Sequence, residues 1–328
     1  MSSYLKNEII ILACGDMLLA DFYFDIGFGL GSLISEHGPS EIFKSVHPIL
    51  QSGDLLVGNL ECPISEKSIN TGIHKKEFLA SPEVIKTLYS EGFRVINISN
   101  NHISQHGLDA FKDTVNILEN RNIAVVGEIA SGNKKQKLII KTIKGKRLGF
   151  LSYSLVEDHF EKSPSYYAYC PNISDMIERA EVAKKECDFL IIILHWGDEF
   201  IDHPSLSQVK LAHDLIDAGC DLILGGHSHI FQGVEQYKGK VIAYSLGNFA
   251  FSMPWKPTRA TGVLKVHFNE KGCHCFSVIP IWINNSFRPI IPQDKQKEYV
   301  EKRLNNANNL LNNVNTTQEE YTRRVNKA

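Results

Sequence analysis

At 328 residues, against a prior of about 150 per domain, the chain has room for two ordinary domains or one large α/β domain, and a peptide-sized module is excluded. Its 43% hydrophobic and 22% charged residues match soluble globular averages, which excludes global disorder and leaves enough apolar surface for a sizeable core. The 35 basic residues against 37 acidic give a formal charge of -2, so the basic footprint of a general nucleic-acid binder is missing.

In chain order, Met1–Glu8 leads straight into the apolar run Ile9–Ala13, too short for a signal-peptide core, and no later apolar run approaches the roughly 18 to 20 residues of a membrane span. Cys14, Cys62, Cys170, Cys187, Cys220, Cys273 and Cys275 are odd in number and scattered, so they read as free thiols of a cytoplasmic protein rather than a disulfide framework. Cys273 and Cys275 offer two thiolates without a second Cys or His pair nearby, and read as two side chains on one strand face.

Short apolar, β-branched runs alternate with helical patterns, the signature of strands and helices around covered sheets. The strand runs are Ile9–Ala13, Leu55–Val57, Val95–Ile98, Ile123–Val126, Leu148–Leu151, Phe189–Leu194, Leu222–Leu224 and Val241–Ser245. Ser81–Glu91, Leu108–Asn120, Ser174–Glu186 and Ser205–Ala218 read as helices, with Ser81-Pro82 as an N-cap and first-position proline and Gly92 and Gly219 as stops. The runs Val263–Phe268 and Phe276–Ile281 around Asn269–Gly272 suggest an antiparallel edge hairpin. A single domain is expected over 1–292, with 293–328 as a polar, Asn-rich extension that is helical or disordered; asparagine is a poor helix former.

Polar residues fall at the ends of these strands. Asp16 follows the first, Asn59 and Glu61 the second, Asn100-Asn101-His102 the third, His195 the Phe189 run, and His227-Ser228-His229 the Leu222 run. In open α/β sheets ligands bind outside the carboxyl ends of strands, so these clusters are expected to converge on one crevice. Carboxylate, carboxamide and imidazole together suit Mn, Zn or Fe, and the ligand number allows two divalent ions, with His102 placed to protonate a leaving group.

These motifs, together with Gly15-Asp16, Gly58-Asn59-Leu60-Glu61, His195-Trp196-Gly197-Asp198-Glu199 and Tyr244-Ser245-Leu246-Gly247-Asn248-Phe249, resemble the CapA, or poly-γ-glutamate capsule biosynthesis, family within the calcineurin-like metallophosphoesterase superfamily, over roughly residues 8 to 255. The resemblance implies a four-layer α/β/β/α sandwich of two mixed sheets, and metal contacts from Asp16, Asn59 or Glu61, Asn101, His195, His227 and His229, with His102 as the catalytic histidine. Leu18 stands where other metallophosphoesterases carry a histidine, and Gln105-His106-Gly107 stands where the family places an aspartate and an aromatic before glycine.

Two functions follow: a metal-dependent hydrolase acting on a phosphoester or an amide such as a γ-glutamyl linkage, or a non-catalytic accessory component that binds an anionic polymer. An anionic small molecule or polymer is the expected partner, with Trp196, Glu199, Tyr244, Asn248 and Arg259 as substrate contacts and Arg94 as a further anion-binding candidate. Oligomeric state is not legible, because no coiled-coil heptads appear.

Overall fold

The computed structural model describes residues 8–129, 136–158, 160, 165–169 and 172–312. Fourteen strands are formed among them: β1 (Ile9–Met17), β2 (Leu55–Leu60), β3 (Phe93–Asn97), β4 (Ala124–Val126), β5 (Ile139–Ile143), β6 (Lys146–Ser154), β7 (Phe189–His195), β8 (Leu222–Gly226), β9 (Phe231–Tyr237), β10 (Lys240–Leu246), β11 (Asn248–Ala250), β12 (Ala260–Asn269), β13 (Gly272–Ile283) and β14 (Pro289–Ile290). The helices are α1 (Leu30–His37), α2 (His47–Leu50), α3 (Val84–Ser90), α4 (Gly107–Glu119), α5 (Ile173–Lys184), α6 (Leu206–Asp217) and α7 (Asp294–Asn312).

Two mixed sheets result. The first runs β14-β13-β12-β1-β2-β3-β4, with β11 added beside the end of β1; the second runs β5-β6-β7-β8-β10-β9. β1 to β4 are mutually parallel, as are β6, β7, β8 and β10, while β12, β13, β5 and β9 run antiparallel to their neighbours.

Period-2 alternation explains the layering. In β1, Ile9, Ile11 and Ala13 face the second sheet, where they pack with Phe150, Ile191, Ile193 and Leu224, whereas Leu12 and Cys14 face outward among Leu56, Leu88, Phe93 and Phe111. The second sheet repeats the pattern: Leu190, Ile192 and Leu194 turn outward onto Met176, Ala180, Leu211 and Leu215 of α5 and α6. The architecture is a four-layer α/β/β/α sandwich.

Local chemistry sets the helix ends. Ser205 and Gln208 form a reciprocal capping box on α6, and Asn172 caps α5 by accepting from Ser174 N–H. Ser81-Pro82 instead form the turn ahead of α3, whose N-cap position is Glu83. Gly92 and Gly219 follow their helices with φ of 95° and 106°, as stops require.

α1 lies inside Phe22–His37, a stretch that reads as loop from its sequence. The Asn-rich α7 lies along β9, β12 and β13, burying Val300, Leu304 and Ala307 against the inter-sheet core. Asn308 Oδ1 accepts the Val234 N–H at 2.9 Å. Val314 and Asn315, Cys170 and residues 130–135 and 161–164 lie outside the described residues. The six other cysteines are free thiols.

Candidate metal centre

The carboxyl ends of β1, β2, β3, β7 and β8 meet where the sheets face each other. Asp16, Asn59 and Asn248 are in register across neighbouring strands of the first sheet, and His195 is paired with Gly226 in the second. Asp16, Glu61, Asn101, His195, His227 and His229 are all brought together and buried, with Asp16 and Glu61 at 0% exposure. Two groups of potential ligand atoms form, Asp16/Glu61/His229 and Glu61/His195/His227, each with its atoms within 4.8 Å of one another. Glu61 belongs to both.

Close approach between the sheets depends on glycine. A Cβ on Gly226 would stand 2.4 Å from Asp16 Oδ1. Its absence lets the Asp16 carboxylate reach across, where Oδ2 accepts the His227 N–H at 2.9 Å. His227 and His229 both hold φ in the left-handed region, at 87° and 56°, a conformation that bends the turn back toward the cluster.

A polar scaffold orients the ligand atoms. Asn59 Nδ2 donates to Asp16 Oδ1 at 2.7 Å, while Asn59 Oδ1 accepts from Asn97 Nδ2 at 2.7 Å and Asn100 Nδ2 at 3.3 Å. The Asn59 oxygen is therefore already engaged. Asn101 Oδ1 lies 2.9 Å from His195 Nε2, and Asn248 Oδ1 lies 2.8 Å from His229 Nδ1, which holds the ring so that Nε2 lies 3.9 Å from Glu61 Oε1. Such carboxamide partners fix ring orientation and tautomer.

Sequence reasoning did not single out Asn97, which holds Asn59 and accepts from Ser99 N–H and the Ser152 hydroxyl. Its signal was a carboxamide inside the otherwise apolar run Val95–Ile98.

The electrostatics follow from burial without compensating cations among the described residues. Burial raises the Asp16 carboxyl to about 7, against the lowering effect of the His227 N–H and Asn59. Glu61 is pushed well above the carboxylate range by burial first, then by Asp16 and Glu199. Neither Glu61 oxygen accepts a hydrogen bond from a described residue. Burial lowers His229 to about 4 and His195 well below its ordinary value, the latter further depressed by His227, His229 and His102. Neutral imidazoles offer lone pairs, and two desolvated carboxylates call for positive charge; both fit a cation site.

His102 lies at the rim, half-buried, its ring stacked on Phe78 at 4.0 Å between centroids, with Nδ1 3.0 Å from Gln105 Oε1. Glu199 lies near enough to act electrostatically on Glu61, and the following Phe200 N–H bonds the Ser228 carbonyl at 2.8 Å, tying the His195 loop to the histidine turn.

The remaining expected substrate contacts divide. Asn248 is in the cluster, but Trp196 and Tyr244 are not. Alternation sends both to the outer face, where they stack at 6.1 Å beneath α5 and α6, with Trp196 Nε1 donating to the Tyr244 carbonyl and the Tyr244 hydroxyl donating to Glu235. Arg259 precedes β12 at the sheet end that carries the cluster and is paired with Asn285. Arg94 is at the amino end of β3, away from the cluster, donating to the Tyr89 and Phe93 carbonyls.

Two face-to-face mixed sheets with helices outside, and a desolvated ligand cluster at their joined strand ends, define a fold of the metallophosphoesterase type. A hypothetical protein from Thermus thermophilus shares it at a TM-score of 0.51 and 12% identity, over 83% of this chain and 98% of that one, a likeness of fold alone. Residues 10–253 match the family described as bacterial capsule synthesis protein PGA_cap, and the chain belongs to that family. It is 30% identical over 303 residues to PGA biosynthesis protein CapA of Bacillus subtilis (strain 168), covering 89% of this chain and 79% of the relative. It is 28% identical over 308 residues to capsule biosynthesis protein CapA of Bacillus anthracis, covering 90% and 72%. Among the described residues no helix is long and apolar enough to cross a membrane.

Proposed function

We propose that the chain is a metal-dependent hydrolase of anionic capsule polymer metabolism, acting on a phosphoester or on an amide of the γ-glutamyl type. The observation that carries this reading is Glu61, a fully buried carboxylate that accepts no hydrogen bond from the described residues and is shared by two ligand triads. Asp16, Glu61 and His229 would hold one divalent ion of the Mn, Zn or Fe class, and Glu61, His195 and His227 a second, with Asn101 adjoining. Asn59 is assigned the orienting of Asp16, because its oxygen is taken by Asn97 and Asn100. Bound ions of this class supply Lewis-acid stabilisation of developing negative charge and an acidified water.

The chain's own residues do the rest. His102 delivers a proton to the leaving group from the rim, with Phe78 and Gln105 fixing its ring. Asn248 holds His229 in the tautomer that leaves Nε2 toward Glu61, and Asn101 Oδ1, beside the His195 Nε2 that faces Glu61, adjoins the second ion as a further oxygen donor. Glu199 and Arg259 are proposed to meet the substrate. The relatives' names, given for proteins of polyglutamate and capsule biosynthesis, support the polymer class.

An accessory, polymer-binding role is favoured by one observation: the neutral Gln105 carboxamide beside His102 stabilises an imidazolium less than a carboxylate does. Elemental analysis of the purified chain and its His227→Ala variant, with manganese-stimulated hydrolysis of a generic phosphodiester and of a γ-glutamyl amide on the same samples, separates the two. The hydrolase predicts that His227→Ala loses transition metal from the central cluster together with turnover. Metal bound without turnover of either substrate supports the accessory role, and metal-free protein after reconstitution overturns both.

A further inference from the structure

A second convergence of ligand atoms lies on the edge hairpin. β12 and β13 pair regularly from Ala260 opposite Trp282 to His267 opposite Cys275, after which the register shifts and Phe268 faces Cys273. His274 is the extra residue of a bulge. In an unbroken strand His274 and Cys275 would point to opposite faces, and Cys273 would share a face with Cys275. The bulge reverses this: Cys273, Phe276 and Val278 pack on the inter-sheet core, whereas His274 and Cys275 are both exposed. The expectation that the two cysteines share one strand face therefore fails.

On the partner strand Val266 and Phe268 point inward, so His267 stands on the same outer face. The ligand atoms of His267, His274 and Cys275 lie within 4.8 Å of one another. Glu8, just ahead of β1, pairs with both imidazoles: Oε2 is 3.0 Å from His267 Nδ1 and Oε1 is 2.6 Å from His274 Nε2.

A carboxylate between a half-buried and an exposed imidazole is by itself an ordinary surface ion pair of little energetic value. The bulge does more, turning His274 and the exposed Cys275 thiol together toward His267. Two imidazoles and a thiolate are a ligand group for a borderline transition metal, and the Glu8 carboxylate held against the imidazoles offers a fourth donor. We propose that Glu8, His267, His274 and Cys275 bind one zinc-class divalent ion, which clamps the start of β1 to the edge hairpin. This assignment is independent of the central cluster, whose ligand groups contain no cysteine.

Cobalt titration of the reduced, full-length protein tests it, because a thiolate ligand gives a sulfur-to-cobalt charge-transfer absorption that carboxylates and imidazoles do not. The wild-type protein and the His227→Ala and Cys273→Ser variants are expected to show a saturable band. Cys275→Ser is expected to abolish it, and His274→Ala to weaken cobalt binding by about tenfold or more. Absence of the band from wild-type protein, its survival in Cys275→Ser, or its loss in Cys273→Ser would overturn the assignment. As a measurement independent of the thiol signal, added zinc is expected to raise the Tm of His227→Ala but not of the His227→Ala, His274→Ala double variant; equal shifts in both would also overturn it.

Discussion

The cluster between the sheets and the cluster on the edge hairpin draw on the same ligand chemistry and are held in opposite ways. Between the sheets, two carboxylates and three imidazoles are buried, desolvation displaces the pKa values of Asp16, Glu61, His195 and His229, and Glu61 has no hydrogen-bond donor among the described residues. On the hairpin, Glu8 is already paired with His267 and His274, and the side chains remain partly open to water. The difference teaches where chemistry can be done. Buried, unpaired charge costs folding free energy and is returned only by a cation, whereas the exposed set is satisfied without one and suits a structural clamp.

The comparison can be broken most forcefully at Glu61. Glu61→Gln is expected to lose both central metal equivalents by elemental analysis, to lower turnover by about 10²-fold or more, and to raise the Tm of the metal-free chain by removing a desolvated acid. A metal-free Tm that falls would show that Glu61 has a structural partner. Next is His102→Ala, for which turnover is expected to drop by about 10²- to 10⁴-fold with metal content unchanged. A parallel fall in bound metal would make His102 a ligand.

Trp196→Ala sharpens the same contrast from the outer face. It should cost about 3–5 kcal/mol in denaturant unfolding while leaving KM unchanged, because the ring fills the core under α5 and α6. The smallest effect is expected at His106, where burial acts without a metal. Its Nε2 donates to the Glu77 carbonyl at 2.6 Å and Nδ1 accepts from the Ser68 hydroxyl at 2.6 Å, so the neutral ring is the satisfied form. Burial lowers its pKa below the ordinary 6.5. Below pH 6.5 the unfolded chain therefore binds the proton more readily than the folded one, and stability falls as pH drops until the folded ring also titrates. His106→Asn should remove that part of the acid slope in unfolding measured from about pH 7 to 5.

Most of the sandwich was legible because its strands are apolar runs ended by glycine and polar residues. The strand-end placement of Asp16, Glu61, His195, His227 and His229 followed from the same punctuation. Trp196 and Tyr244 were misplaced because motif adjacency suggested a shared pocket, whereas alternation sends the neighbour of an inward residue outward: His195 and Ala243 face in, Trp196 and Tyr244 face out. β9 (Phe231–Tyr237) was missed because Gln232, Gly233, Glu235 and Gln236 break its apolar pattern, and the Asn59 geometry depends on Asn97 from another strand, which no local pattern reveals.

The asparagines of α7 have a consequence for the chain in company with its own copies. β9 is the outermost strand of the second sheet, and such a border presents a row of unmatched N–H and C=O groups that recruits foreign strands. Asn308 occupies one of those positions with its own carboxamide, and Leu304 and Ala307 cover the apolar ground beside it. A residue ill suited to building helices is thus well suited to capping a sheet border: the segment that looked least structured covers β9 where a foreign strand would add.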